Sequence, residues 1–144
     1  MKITTMVKIV VLSEYSTSAP TQLGTGRIKI EGGPLYVLAR VQQLVDSSDC
    51  INLFTRTCIG QVHELFDSDL EQVAWLIQAL DSRDYIDSEW CENGKNGIAA
   101  CDAYRIRRTE VMAATNKPTK VEYFVKFAVS KTGKLVLLVS CHLS

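Results

Sequence analysis

Positions able to hold phosphate or move a proton recur at alternate places in the last third of the chain. Arg105 and Arg107 stand in CDAYRIRRTE (101–110), Lys126 in VEYFVKFAVS (121–130), and Ser140 and His142 in KLVLLVSCHLS (134–144). In extended chain, successive side chains point to opposite faces. One face therefore reads as core, and the other collects Arg105, Arg107, Lys126, Ser140 and His142. Guanidinium groups match phosphate oxygens two at a time, an ammonium adds a point charge, and an imidazole titrates near neutrality as acid or base. Cutting an RNA strand without a metal needs an activated 2′-hydroxyl, cations around the pentacoordinate phosphate and an acid for the departing 5′-oxygen. Arg105, Arg107, Lys126 and His142 are chemically sufficient for that task. Tyr104, Phe124 or Tyr123, where exposed, can stack a base, and Arg56, at a helix start, can hold a phosphate.

Each of these residues also has a plain structural reading. Basic side chains on a sheet face often do no more than solvate it or pair with neighbours such as Glu110 and Glu122. His142 stands near the chain end, where strands fray. Tyr123 points to the apolar face by parity, and His63 reads as a surface residue of a helix. Asp102 is expected to orient an arginine, because guanidinium neighbours lower a carboxylate's pKa and make it a poor base. Cys141 and His142, adjacent on one strand, face opposite ways and form no dyad, whereas Cys101 shares the face of His142 and leaves a thiol reading open.

The elements that must position these residues fall into two halves. MVKIVVLSEY (6–15) suits a strand, RIKIE (27–31) is expected to pair with it as an N-terminal hairpin, and the intervening STSAPTQLGTG is loop chemistry. Leu38, Val41, Leu44 and Val45 recur at helical spacing. Thr55 is placed to cap a second helix presenting Cys58, Ile59, Val62, Leu65 and Phe66 to a core. A third helix follows, with Ser68 and Glu71 in the capping-box relation ahead of Leu70, Val73, Ile77 and Leu80. DYIDSEW (84–90) alternates like a strand and ENGKNG (92–97) is turn chemistry. Beyond residue 99 the period is two, and KTGK (131–134) ties the last two strands into a hairpin. Helices first and strands afterwards predict a two-layer α+β domain, its helices packed on one face of a mainly antiparallel sheet.

Composition sets the outer limits. A chain of 144 residues with 47% hydrophobic content supports one core, hence a single domain. Sixteen basic and sixteen acidic residues cancel, so nucleic-acid binding would depend on a local patch. No apolar run has membrane-spanning length and no signal-peptide pattern is present, which predicts a cytoplasmic protein with no membrane contact. Five cysteines without a CxxC pair, beside two histidines, argue against a metal site and for small buried hydrophobes. No cofactor-binding motif is present.

The order of motifs from Pro34 to the C-terminus resembles the MqsR family of ribonuclease toxins, within the wider RelE-like group. PLYVLARVQQLV is similar to that family's opening helix, FTRT (54–57) to the start of its next helix, and SRDYIDS (82–88) to the strand after its third. CDAY (101–104) resembles the family's aspartate and tyrosine strand, and EYFVKF with LVLLVSCH its final hairpin. The resemblance implies a RelE-like domain over 34–144, with residues 1–33 as an extension. It further implies an endoribonuclease, or mRNA interferase, that cleaves mRNA and is neutralised by an antitoxin. On that expectation the chemistry of the residues, not the family pattern, puts His142, Lys126, Arg107 and Arg105 in catalysis and Arg56, Tyr104 and Phe124 on RNA. The chain departs from the family pattern at Asp87 and His142, where the family typically carries lysines, and at Cys101, where it carries glutamine. Phe124 stands in line with the family's tyrosine before the penultimate-strand lysine. These departures keep a second reading in view, an inactive RelE-like module that binds RNA or a protein partner.

Overall fold

The computed structural model describes residues 8–144. Ten elements follow in chain order: β1 (Val10–Val11), β2 (Ile28–Lys29), α1 (Leu38–Leu44), β3 (Ile51–Leu53), α2 (Arg56–Phe66), α3 (Leu70–Gln78), β4 (Tyr85–Glu92), β5 (Gly97–Met112), β6 (Lys117–Val129) and β7 (Val136–Leu143). The strands form one seven-stranded sheet of order β2-β4-β5-β6-β7-β3, with β1 paired to β5. Pairing is antiparallel from β2 to β7, while β1 on β5 and β3 on β7 are parallel. The fold class is α+β, with three helices and a mixed, mostly antiparallel sheet.

Local chemistry accounts for the helices. The Thr55 hydroxyl accepts from the Cys58 N–H and starts α2, which buries Cys58 and Val62 while Ile59 stays half exposed. The cap of α3 is Asp69, not Ser68: Asp67 and Ser68 both take left-handed φ, so the chain re-enters helical geometry one residue later and Asp69 accepts from the Glu71 N–H. Val73, Ala74, Leu76 and Ile77 then face the core.

The main core joins Val41, Val62 and Ile77 of the helices to one sheet face carrying Tyr104, Val125 and Cys141. Register puts Tyr104 opposite Val125 and Val125 opposite Cys141, which places all three on the same side. Phe66 of α2 stacks on Tyr123, with ring centroids 6.1 Å apart.

Among the described residues the two runs of the expected N-terminal hairpin do not pair with each other, and Met6 and Val7 of that expected strand lie outside the described residues. β2 pairs with β4, and β1 pairs with β5. The reason is a gap in the sheet. β5 and β6 are registered only from Asp102↔Phe127 outward. Val10–Glu14 occupies the space beyond, with Leu12 N–H donating to Ile98 O at 2.8 Å and Glu14 N–H to Val129 O at 2.9 Å. Unpaired strand edges thus recruit the N-terminal segment more strongly than its two short runs recruit each other. A second cluster of Trp90, Ile98 and Ala100, packed by Val11, Ile28 and Leu35, seals this part of the molecule.

Asp102 fixes the entry to α1. Its carboxylate accepts from Leu35 N–H at 2.9 Å, Tyr36 N–H at 3.1 Å and the Ser88 hydroxyl at 2.6 Å. The expectation that it orients an arginine fails, because Asp102 lies on the core-facing side of β5. Burial pushes its carboxyl above the ordinary carboxylate range, against the hydrogen bonds it accepts. Gly33 has to be glycine here, since a Cβ would run into the Tyr85 hydroxyl and Ser88 Oγ. Among the described residues, no helix is long and apolar enough to cross a membrane.

Candidate functional site

On the sheet face opposite Tyr104, cross-strand register sorts the candidate residues into rows. Arg105, Phe124 and His142 lie directly opposite one another across β5, β6 and β7. Ala103, Lys126 and Ser140 form the next row, and Arg107 faces Glu122 on the other side. Neighbouring rows are about 7 Å apart, from two residues of strand rise. The alternation in the sequence therefore brings Arg105, Arg107, Lys126, Ser140 and His142 to one surface. Five of these face residues, Arg105, Phe124, Lys126, Ser140 and His142, line a concavity of about 520 Å³ closed on the β4 side by Asp87 and Glu89.

His142 is held by two contacts. Its ring stacks on Phe124, with centroids 5.0 Å apart and planes 21° apart. Nδ1 lies 2.9 Å from the Leu143 carbonyl oxygen. A carbonyl only accepts, so Nδ1 carries a hydrogen and Nε2 is the nitrogen left to exchange a proton with a ligand. The Lys126 ammonium sits 5.5 Å from the Phe124 ring centre. Phe124 thus bridges the two groups best suited to charge and proton chemistry.

Carboxylates accompany nearly every cation on this face. Lys126 pairs with Glu89 Oε1, and Arg27 Nε donates to Glu89 Oε2 at 2.6 Å. Burial alone would raise the Glu89 carboxyl, but the hydrogen bonds from Arg27 and Lys126 outweigh it and hold the group below the usual range. Asp87 lies 3.4 Å from both Arg27 and Lys29. Arg107 Nε donates to Glu122 at 2.6 Å, whereas Arg105 approaches the other oxygen of that carboxylate only to 3.4 Å. Both arginines meet Glu122 through Nε, and their side chains remain 49% and 81% exposed.

Two expected RNA contacts are not on this face. Tyr104 is buried on the core side, stacked on Phe127 at 5.4 Å and meeting Tyr85 edge-on at 5.7 Å. It stands one residue before Arg105, so parity sends it to the opposite side, where it cannot stack a base. Arg56 is exposed in the first turn of α2 and lines a separate cleft. Tyr123 is core, as parity indicates, with its hydroxyl donating to Glu110 at 2.9 Å. His63 is exposed, 3.2 Å from the Ser68 hydroxyl. Cys101 is fully buried, and burial pushes its thiol well above the usual range, which removes the nucleophile reading. Cys58 and Cys141 are buried too, whereas Cys50 and Cys91 are only partly so.

Sequence reading missed Glu89 and Arg27. The signal for Glu89 was present, since alternation in DYIDSEW sets Asp87 and Glu89 on one face. Arg27 had no local signal, because it reaches Glu89 only through the β2–β4 pairing.

Fold and site together define an α+β protein with a charged, half-open sheet face around a stacked histidine. No protein-family model, curated protein or solved structure matches the chain.

Proposed function

We propose that this chain is a cytosolic, RelE-like, metal-independent endoribonuclease that cuts single-stranded mRNA on the Arg105–Phe124–His142 face and is restrained by an antitoxin protein. The observation that carries the proposal is that cross-strand row, with Lys126 one row away and stacked contacts fixing the imidazole. A base stacks on the exposed part of Phe124. Arg105 and Arg107 grip the scissile phosphate, and Lys126 adds positive charge as the phosphorus becomes pentacoordinate. His142 Nε2 accepts the 2′-hydroxyl proton, the 2′-oxygen bonds to phosphorus, and the bond to the 5′-oxygen breaks, with solvent protonating the leaving oxygen. The products are a 2′,3′-cyclic phosphate and a free 5′-hydroxyl.

A second reading, a catalytically silent member of the same fold that binds RNA or protein, is favoured by the ion pairs. Glu89 has both oxygens engaged, and Glu122 partly neutralises Arg105 and Arg107. Induced expression in a bacterial host separates the two. Nuclease function gives growth arrest with new RNA 5′ ends that vanish in His142→Ala and Lys126→Ala. Normal growth with intact RNA leaves the binding reading.

A further inference from the structure

A second concavity lies at the other end of β6 and β7, and its volume of about 890 Å³ exceeds that of the sheet-face site. Ser130, on its wall, is roughly 13 Å along the strand from Lys126. The size falls in the range of about 300–1,000 Å³ usual for small-molecule sites. Three cations reach it from three separate elements: Arg56 from α2, Lys95 from the β4–β5 turn and Lys131 from the β6–β7 turn. No aspartate or glutamate lines it.

The charges in this cleft are uncompensated. Among the described residues, none of the three forms an ion pair. Residues 1–7 contain no Asp or Glu that could supply one. The carboxylate beside the β6–β7 turn, Glu14 near Gly133, has its two oxygens held by Arg40 at 2.6 Å each. In a chain whose charges sum to zero, three cations lining one cleft without a paired counter-charge create a local positive potential. The wall beside them is apolar, with Leu53, the half-exposed Ile59 and Leu135. Asn52 stands exposed on β3 at the same cleft and offers both an amide donor and a carbonyl acceptor.

We propose that this cleft binds a phosphorylated ring compound of the mononucleotide class. The phosphate lies among Arg56, Lys95 and Lys131, the ring rests on Leu53, Ile59 and Leu135, and Asn52 meets polar atoms on the ring edge. Both halves of the ligand are required by the lining: cations alone would take any anion, and the apolar wall alone would take any hydrocarbon. The proposal does not rest on the sheet face being nucleolytic.

Calorimetric titration of the full chain with AMP and GMP tests it, with adenosine and inorganic phosphate as partial ligands. AMP or GMP is expected to bind at low salt, and adenosine and phosphate at least about tenfold more weakly. Arg56→Ala and Lys131→Ala, at exposed positions whose folding a thermal melt checks, each lose about tenfold, the worth of a charged hydrogen bond. Lys131→Arg retains binding, and His142→Ala, at the other site, binds as the wild type does. Absence of mononucleotide binding at millimolar concentration overturns the proposal, as does unchanged affinity in the Arg56→Ala/Lys131→Ala double variant. Arg56-dependent binding of an RNA oligonucleotide without any of AMP or GMP also overturns it and assigns the cleft to a nucleic-acid strand.

Discussion

Lys126 and Lys131 belong to one strand and its turn, yet they keep opposite company. Lys126 is 13% exposed and paired with a Glu89 carboxylate that is itself 5% exposed. Lys131 is exposed in a cleft lined by two further cations and no carboxylate. The sheet face is largely arranged before any ligand arrives, because Lys126 and Arg107 are already hydrogen-bonded to carboxylates. A phosphate entering there competes with Glu89 and Glu122, so the face favours orientation over raw attraction. The cleft has the reverse character, with attraction in place and little to fix the side chains until a ligand does so.

The largest expected effect comes from breaking the ordered side of this contrast. Glu89→Ala leaves the nearly buried Lys126 ammonium without its partner, and urea unfolding is expected to show a loss of about 3 kcal/mol. Lys131→Ala is expected to change stability by less than about 0.5 kcal/mol, since no carboxylate among the described residues pairs with it. Acid sharpens the difference. The Glu89 carboxyl is held below its unfolded value, so its stabilising contribution is present above the ordinary glutamate range and is lost as pH falls through the lowered folded value. Glu89→Gln is expected to remove that part of the acid-side slope while leaving the rest of the curve in place. A similar acid-side slope in wild type and variant would show that Glu89 is not the linked group.

A smaller effect is expected at the other carboxylate. Glu122→Gln frees Arg105 and Arg107 and makes the sheet face resemble the cleft. Binding of a single-stranded RNA is expected to tighten, with a salt slope steeper by about 0.7 for each phosphate newly contacted. A slope that stays the same would mean that neither arginine meets the RNA backbone.

How much of this was legible in the sequence differs between neighbouring residues. Alternation within β6 and β7 was enough to place Lys126, Ser140 and His142 together, because strand periodicity is local. The same parity, carried one residue back from Arg105, sends Tyr104 into the core, where Phe127 stacks on it. Thr55 declared its helix, whereas Ser68 misled, because the left-handed turn at Asp67 and Ser68 passes the capping role to Asp69. Pairings between distant segments were not legible. Nothing in the two-residue strands β1 and β2 says that they join β5 and β4, and the short β3 gave no sign of its parallel partner. The ion pairs of the site inherit that difficulty, since Arg27, Glu89 and Lys126 meet only once the sheet order β2-β4-β5-β6 exists.

The most direct test of the nucleolytic role proposed for the sheet face is incubation of the purified chain with a single-stranded RNA in the presence of a metal chelator, followed by analysis of the new ends. Cleavage leaving 2′,3′-cyclic phosphates, reduced about 100-fold or more in His142→Ala, is the expected result. RNA that remains intact, or that His142→Ala cuts as well as the wild type, would contradict the account.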